Sequence, residues 1–186
     1  MKKTFLILSI TLLGTLLGSN VMGQALTATN ALTLGMPEVL KVASTSPTIN
    51  LTLTARAAGL AVMDTVSNST ARILISSVIA ATTHKLSASV TSGIIPPGTY
   101  LHLLAMLPNT NFVGTAGTPS SEIVLTGAVD QSIVDGIGTC YSGISADDGY
   151  KLKYTFGIPP ATGAYGLIRA SGGTAITVTL TISEGV

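Results

Sequence analysis

The sequence predicts an all-β protein. Three observations carry that prediction. Several segments alternate apolar and polar residues with period two, β-branched residues crowd those segments, and glycine or proline separates them. Outside the first two dozen residues no segment sustains the i, i+3, i+4, i+7 apolar pattern of an amphipathic helix. Many short strands between turn residues imply an antiparallel sandwich or barrel. The favoured arrangement is one immunoglobulin-like, two-sheet sandwich.

The clearest strand is the last. Residues 174–183 read TAITVTLTIS, with Ile176, Val178, Leu180 and Ile182 on one side and Ala175, Thr177, Thr179 and Thr181 on the other. Successive side chains of a strand point to opposite faces, so this pattern buries one face and wets the other. Residues 48–55 repeat it with Ile49, Leu51 and Leu53. Residues 150–156 do so with Tyr150, Leu152, Tyr154 and Phe156 inward, and Lys151 and Lys153 outward. Residues 71–78 and 85–92 also read as strands, the second with Leu86, Ala88 and Val90 on one face. The run 99–107 is apolar on both faces, as a central strand would be. Shorter strands are expected at 121–126 and 131–135, and a further one at 26–34, where Leu26, Ala28, Leu32 and Leu34 are in phase.

The N-terminus carries the three parts of a secretory signal peptide. Lys2 and Lys3 precede an apolar run from Phe5 to Leu17, and Val21 and Gly23 supply small residues before Gln24. The run falls short of the roughly 20 apolar residues of a membrane span. The expected organisation is therefore a signal peptide at 1–23 and one β-sandwich domain at 24–186, exported, with no membrane span in the mature chain. Loss of Lys2 and Lys3 leaves seven basic against eight acidic residues. A near-neutral chain with no basic run lacks the electrostatic footprint of a nucleic-acid binder. Charged residues are 9% of the chain, against about 25% in an average globular protein. A surface rich in neutral hydroxyls is weakly protected against association, so copies of itself or other surface proteins are the expected partners.

No catalytic set emerges. A serine-type hydrolase needs a nucleophile, a base and an orienting acid. His84 and His102 are unclustered, no G-x-S-x-G elbow occurs, and His84 is expected to be exposed near a strand start. One cysteine and two separated histidines give no zinc ligand set. Gly136-Ile-Gly138 lacks the third glycine of a dinucleotide fingerprint. No enzyme activity, metal or cofactor is expected. Asp147-Asp148-Gly149, the only adjacent acid pair, reads as a turn before the strand at 150. Two modification signals remain. Asn50 and Asn68 match the N-glycosylation pattern, and Asp64-Thr65-Val66 resembles a short O-glycosylation acceptor of some Gram-negative bacteria, which makes Thr65 the candidate site. Cys140, in GIGTCYSG at 136–143, is the lone cysteine. It is read as a small buried side chain or as an intermolecular thiol.

Parts of the chain resemble known groups. Residues 85–93 (KLSASVTSG), 95–99 (IPPGT), 133–143, 150–156 and the closing ITVTLTI resemble a group of exported Gram-negative β-sandwich proteins of uncharacterised role. That resemblance implies a secreted or outer-surface protein and transfers no active site. A looser similarity is to fimbrial subunits, in which a strand from a neighbour completes an immunoglobulin-like sandwich. It implies residues 25–34 as donor and 174–183 beside the groove. The chain lacks the paired cysteines and penultimate tyrosine of that pattern and ends Glu184-Gly-Val186. The expected function is thus a non-enzymatic, self-associating or adhesive structural protein, with a carbohydrate-binding module as the alternative. On export from a Gram-negative host, N-terminal sequencing of the recovered protein is expected to begin at Gln24; an intact Met1 would overturn the cleavage.

Overall fold

The computed structural model describes residues 30–45, 48–60, 65–160 and 163–185. The expected signal peptide, the first half of the strand at 26–34, and Asp64 lie outside them. Residues 30–35 form no strand. Residues 36–186 make one compact unit.

That unit is all-β and antiparallel. Its strands are β1 (Val39–Ser44), β2 (Val66–Asn68), β3 (Arg72–Val78), β4 (His84–Ser92), β5 (Tyr100–Met106), β6 (Val113–Gly114), β7 (Thr118–Pro119), β8 (Ile123–Val124), β9 (Gln131–Ile137), β10 (Cys140–Tyr141), β11 (Tyr150–Gly157) and β12 (Thr177–Glu184). One short 3₁₀ turn, Tyr165–Leu167, is the sole helical element among the described residues. The larger sheet runs β6-β10-β3-β11-β5-β8, with β1 on the other edge of β3 and β2 beside β11. The smaller sheet runs β12-β4-β9-β7.

The alternation read from the sequence sets which face is buried. Ile73 and Ile75 of β3, Leu101, Leu103 and Ala105 of β5, and Tyr150, Leu152 and Tyr154 of β11 turn inward from the larger sheet. Leu86, Ala88 and Val90 of β4 and Ile133, Val134 and Ile137 of β9 join them from the smaller one in a single hydrophobic core. Two sheets sharing one core is the arrangement of a β-sandwich.

Two expectations need correction. Residues 48–54 form no ladder with either sheet, although their alternation is real: Ile49, Leu51 and Leu53 are half-buried and their neighbours exposed. The connections also depart from an immunoglobulin-like domain, where hairpins join several sheet neighbours. Here no two consecutive strands pair with each other. The chain crosses between sheets from β3 to β4, back to β5, across to β7, and so on to β12. Alternation of this kind resembles the wiring of a jelly roll.

The registers reveal one large excursion. Cys140 and Tyr141 face Ser77 and Ser76, whereas Tyr150 and Lys151 face Ile73 and Arg72. Residues 142–149 therefore loop out opposite only Leu74 and Ile75, and β10 and β11 lie end to end along the same edge of β3. Asp148 holds this loop. Its Oδ1 accepts from Asn111 Nδ2 (2.9 Å) and Asn109 Nδ2 (3.1 Å), and its Oδ2 from the Ser145 N–H (2.8 Å). Gly149 (φ +80°) returns the chain so closely to β3 that a Cβ would lie 2.1 Å from the Ile73 carbonyl oxygen. The turn expected at Asp147-Asp148-Gly149 is present, and Asp148 is its anchor.

Hydrogen bonds from Asn111 first, then Asn109 and the Ser145 N–H, hold the Asp148 carboxyl below its usual pKa. A depressed folded-state value stabilises above the unfolded value near ~3.9, and that contribution is lost as pH falls through the folded value. Asp148→Asn is expected to melt below the parent at pH 7. The gap should narrow below about pH 4 in thermal melts followed by circular dichroism; a gap constant down to pH 2 would refute the carboxylate's role.

Candidate functional site

The two ends of the sandwich differ chemically. At one end the interior is polar and closed. His84 opens β4 in phase with Leu86 and Ala88 and is fully buried (0% exposed), which corrects the expectation of an exposed histidine. Its Nδ1 lies 2.8 Å from Ser77 Oγ and its Nε2 3.3 Å from Glu38 Oε1. These are the residue types of a hydrolytic triad, yet the arrangement is not one. A triad holds the serine at Nε2 and the acid at Nδ1, and here the nitrogens are reversed. Ser77 is 1% exposed and faces the core, so no substrate reaches its hydroxyl. The chain Glu38–His84–Ser77 instead ties the residue just before β1 to β4 and β3.

Cys140 belongs to the same end. It pairs with Ser77 across β10 and β3, is 6% exposed, and its thiol is pushed up to about 11 by burial. The Gly114 backbone approaches so closely that a Cβ there would lie 2.8 Å from Cys140 Cα. Ser142, also buried, accepts from the Ile75 N–H through its Oγ and donates its own N–H to the Ile75 carbonyl, both at 3.0 Å. The Tyr150 hydroxyl donates to the Ala116 carbonyl. His102 lies apart from this cluster, on the outer face of β5, stacked on Tyr100 (4.2 Å between centroids) and 3.0 Å from Glu122 Oε2.

At the other end the sheets flank a half-open cavity of about 740 Å3. Leu101, Tyr154 and Phe156 line it from the larger sheet and Val178 and Leu180 from β12. Ile49, Leu51 and Leu53, from the segment that pairs with neither sheet, close part of its side. The turn residues 168–174 form another wall, and Arg169 is the single charged residue among those lining it. This space falls within the ~300–1,000 Å3 of small-molecule sites. Sequence reasoning did not find it. The alternation at 48–55 was its one trace, because it marked a buried face without saying what that face covers.

The candidate modification residues separate. Thr65 is exposed just before β2, with its Oγ1 3.2 Å from the Tyr100 hydroxyl. Asn50 is exposed in the unpaired segment, whereas Asn68 sits in β2, its Oδ1 accepting from Thr70 N–H and Oγ1. Among the described residues no three His, Cys, Asp or Glu side chains gather as a metal site would require, and no helix is long and apolar enough to cross a membrane.

Fold and site together define an all-β, antiparallel protein with a closed polar end and an open apolar one. Compared with protein-family models, curated proteins and solved structures, the chain matches none.

The burial of Cys140 makes its chemistry testable. A thiol with a raised pKa and little exposure is a poor nucleophile. Ellman's reagent at pH 8 is expected to leave native Cys140 unmodified and to titrate one thiol after unfolding. Non-reducing electrophoresis should show a monomer; a dimer band that vanishes with reductant would assign the residue to an intermolecular bridge.

Proposed function

We propose that this chain is exported to the outer surface of a Gram-negative bacterium and acts there as a non-enzymatic structural protein that associates with copies of itself or with other surface proteins. The observation that carries this reading is the edge of β12, which pairs with no second strand among the described residues. That strand is eight residues long, pairs on one side with β4, and ends its sheet. Residues 177–183 carry no charge and no proline. An edge strand exposes unpaired N–H and C=O groups, and soluble proteins commonly blunt such an edge with lysine, proline, bulges or a covering element. The one irregularity here lies between Thr177 and Val178. An edge left this plain is suited to receiving another strand by β-augmentation.

Strand addition is the device shared with fimbrial subunits, and it supports the adhesive, fimbria-like form of the reading. The donor expected at 25–34 belongs to the same proposal: Leu32 and Leu34 are exposed and in phase. The wiring between sheets lends that form no support. Carbohydrate recognition gains no specific support, because Tyr154 and Phe156, the aromatic residues of the concavity among the described ones, are buried or half-buried and offer no exposed ring for sugar stacking.

Placing a positive charge on the edge tests the reading. Thr179 is exposed in mid-strand, so Thr179→Lys is expected to keep the parent's circular dichroism and melting temperature within a few degrees. Sedimentation velocity at rising concentration should then show the loss of the parent's oligomers. A parent that stays monomeric at millimolar concentration would overturn self-association.

A further inference from the structure

We infer that the cavity between the sheets binds an anionic amphiphile: a single aliphatic chain ending in a carboxylate, the chain lying between β11 and β12 and the head group meeting Arg169. The inference is independent of the β12 edge.

The walls make the first argument. Ile49, Leu51, Phe156, Ile176, Val178 and Leu180 pack against the core yet remain half-exposed. Where two sheets share one core their inner faces are normally close-packed against each other, so a half-open space between them marks a place that the chain does not fill itself. At about 740 Å3 that space is large enough for a small-molecule ligand. The lining is mixed: Ser44, Thr52, Thr99, Ser171 and Thr174 offer polar groups, whereas water beside Ile49, Leu51, Ile176, Val178 and Leu180 finds few of the roughly three hydrogen bonds that a buried water ordinarily makes. An apolar chain supplies the missing contacts without needing any.

The distribution of polar groups makes the second. The charge on the lining is one guanidinium, that of Arg169, with Ser171 and Thr174 on the same stretch of wall. Arg169 is exposed, and its Nη1 donates to the carbonyls of Gly166 and Ile168, each at 2.8 Å. Those bonds hold one terminal nitrogen in place, and the donors on Nη2 and Nε are suited to a carboxylate. Among the described residues no acidic side chain lines the cavity to compete for it. A sugar would leave its hydroxyls facing Val178 and Leu180 unpaired, and a buried unpaired polar group costs about 1–3 kcal/mol.

The test titrates the purified protein with dodecanoate, below its micelle concentration, by isothermal calorimetry, with 1-dodecanol as the neutral arm. Saturable one-to-one binding of dodecanoate is expected. Arg169→Gln, at an exposed position, should weaken dodecanoate about tenfold, as loss of a charge-assisted contact implies, and leave 1-dodecanol unchanged. Val178→Trp, which fills the cavity, should abolish both. The parent has no tryptophan, so the fluorescence of that variant reports whether the new ring is enclosed and the fold kept. Absence of saturable binding to the parent overturns the proposal, as does binding that is indifferent to Arg169→Gln or that survives Val178→Trp with its indole ring enclosed. Repeating the titration on Thr179→Lys separates it from assembly: binding that persists there belongs to the cavity, and binding that disappears with the oligomer refutes a site within one chain.

Discussion

The carboxylate of Asp148 is the constraint on which the larger sheet depends. β3 can accept β10 and β11 on one edge only if the eight residues between them leave the sheet and return in register. Two asparagines from the 107–112 connection and one backbone N–H converge on that side chain, which is 3% exposed. One group thereby fixes two loops, the one leaving β5 and the one entering β11. Gly143 and Gly149 give the backbone room beside it: a Cβ on Gly143 would lie 2.3 Å from Asp148 Oδ2. With the register fixed, Tyr150, Leu152 and Tyr154 all point inward, since a slip of one residue would turn Lys151 and Lys153 to the core.

The two ends of the sandwich fill their interior by different physics. At the closed end small and polar side chains satisfy one another: Ser77 with His84, Ser142 with the β3 backbone, and Cys140 as a compact filler between them. A buried polar group is tolerable only when paired, and this end pairs its groups within the chain. Toward the start of β12, branched aliphatics join a mixed lining around the cavity. Val178 and Leu180 are half-buried there because they face the cavity, and among the described residues β12 ladders with β4 alone.

The long strands were legible because each carries a period-two pattern or, for β5, a continuous apolar run. β3, β4, β5, β11 and β12 all fall within a few residues of where alternation or an apolar run places them. The misses have physical reasons. Alternation at 48–55 reports that one face is buried and is silent about the hydrogen-bond partner, so a wall segment looks like a strand. β6, β7 and β10 span two residues each, too few for any period. β1 is mostly exposed, which leaves its apolar residues no consistent side to mark. His84 was within reach: it is in phase with Leu86, Ala88 and Val90, and extending that register back two residues places it inside. The Glu38–His84–Ser77 contacts join residues 46 and 7 positions apart, and no local pattern encodes such meetings. The wiring was hidden for a related reason, because strand patterns give positions along the chain and not neighbours in space.

The absence of paired consecutive strands governs how this molecule must form. A hairpin lets two strands meet after closing a short loop, and its entropy is recovered at once. Here each ladder joins segments separated by at least one intervening strand, so several loops must close before any sheet is secure. Domains dominated by non-local pairing fold on the scale of about milliseconds to seconds, with unpaired strand edges exposed meanwhile. β12 is the last strand in the chain, and β4, its partner, waits for it longest. During that interval the uncharged Thr-rich segment and its waiting edge are open to the same segments of neighbouring copies, which makes timely closure of β12 on its own β4 a kinetic competition set by chain concentration.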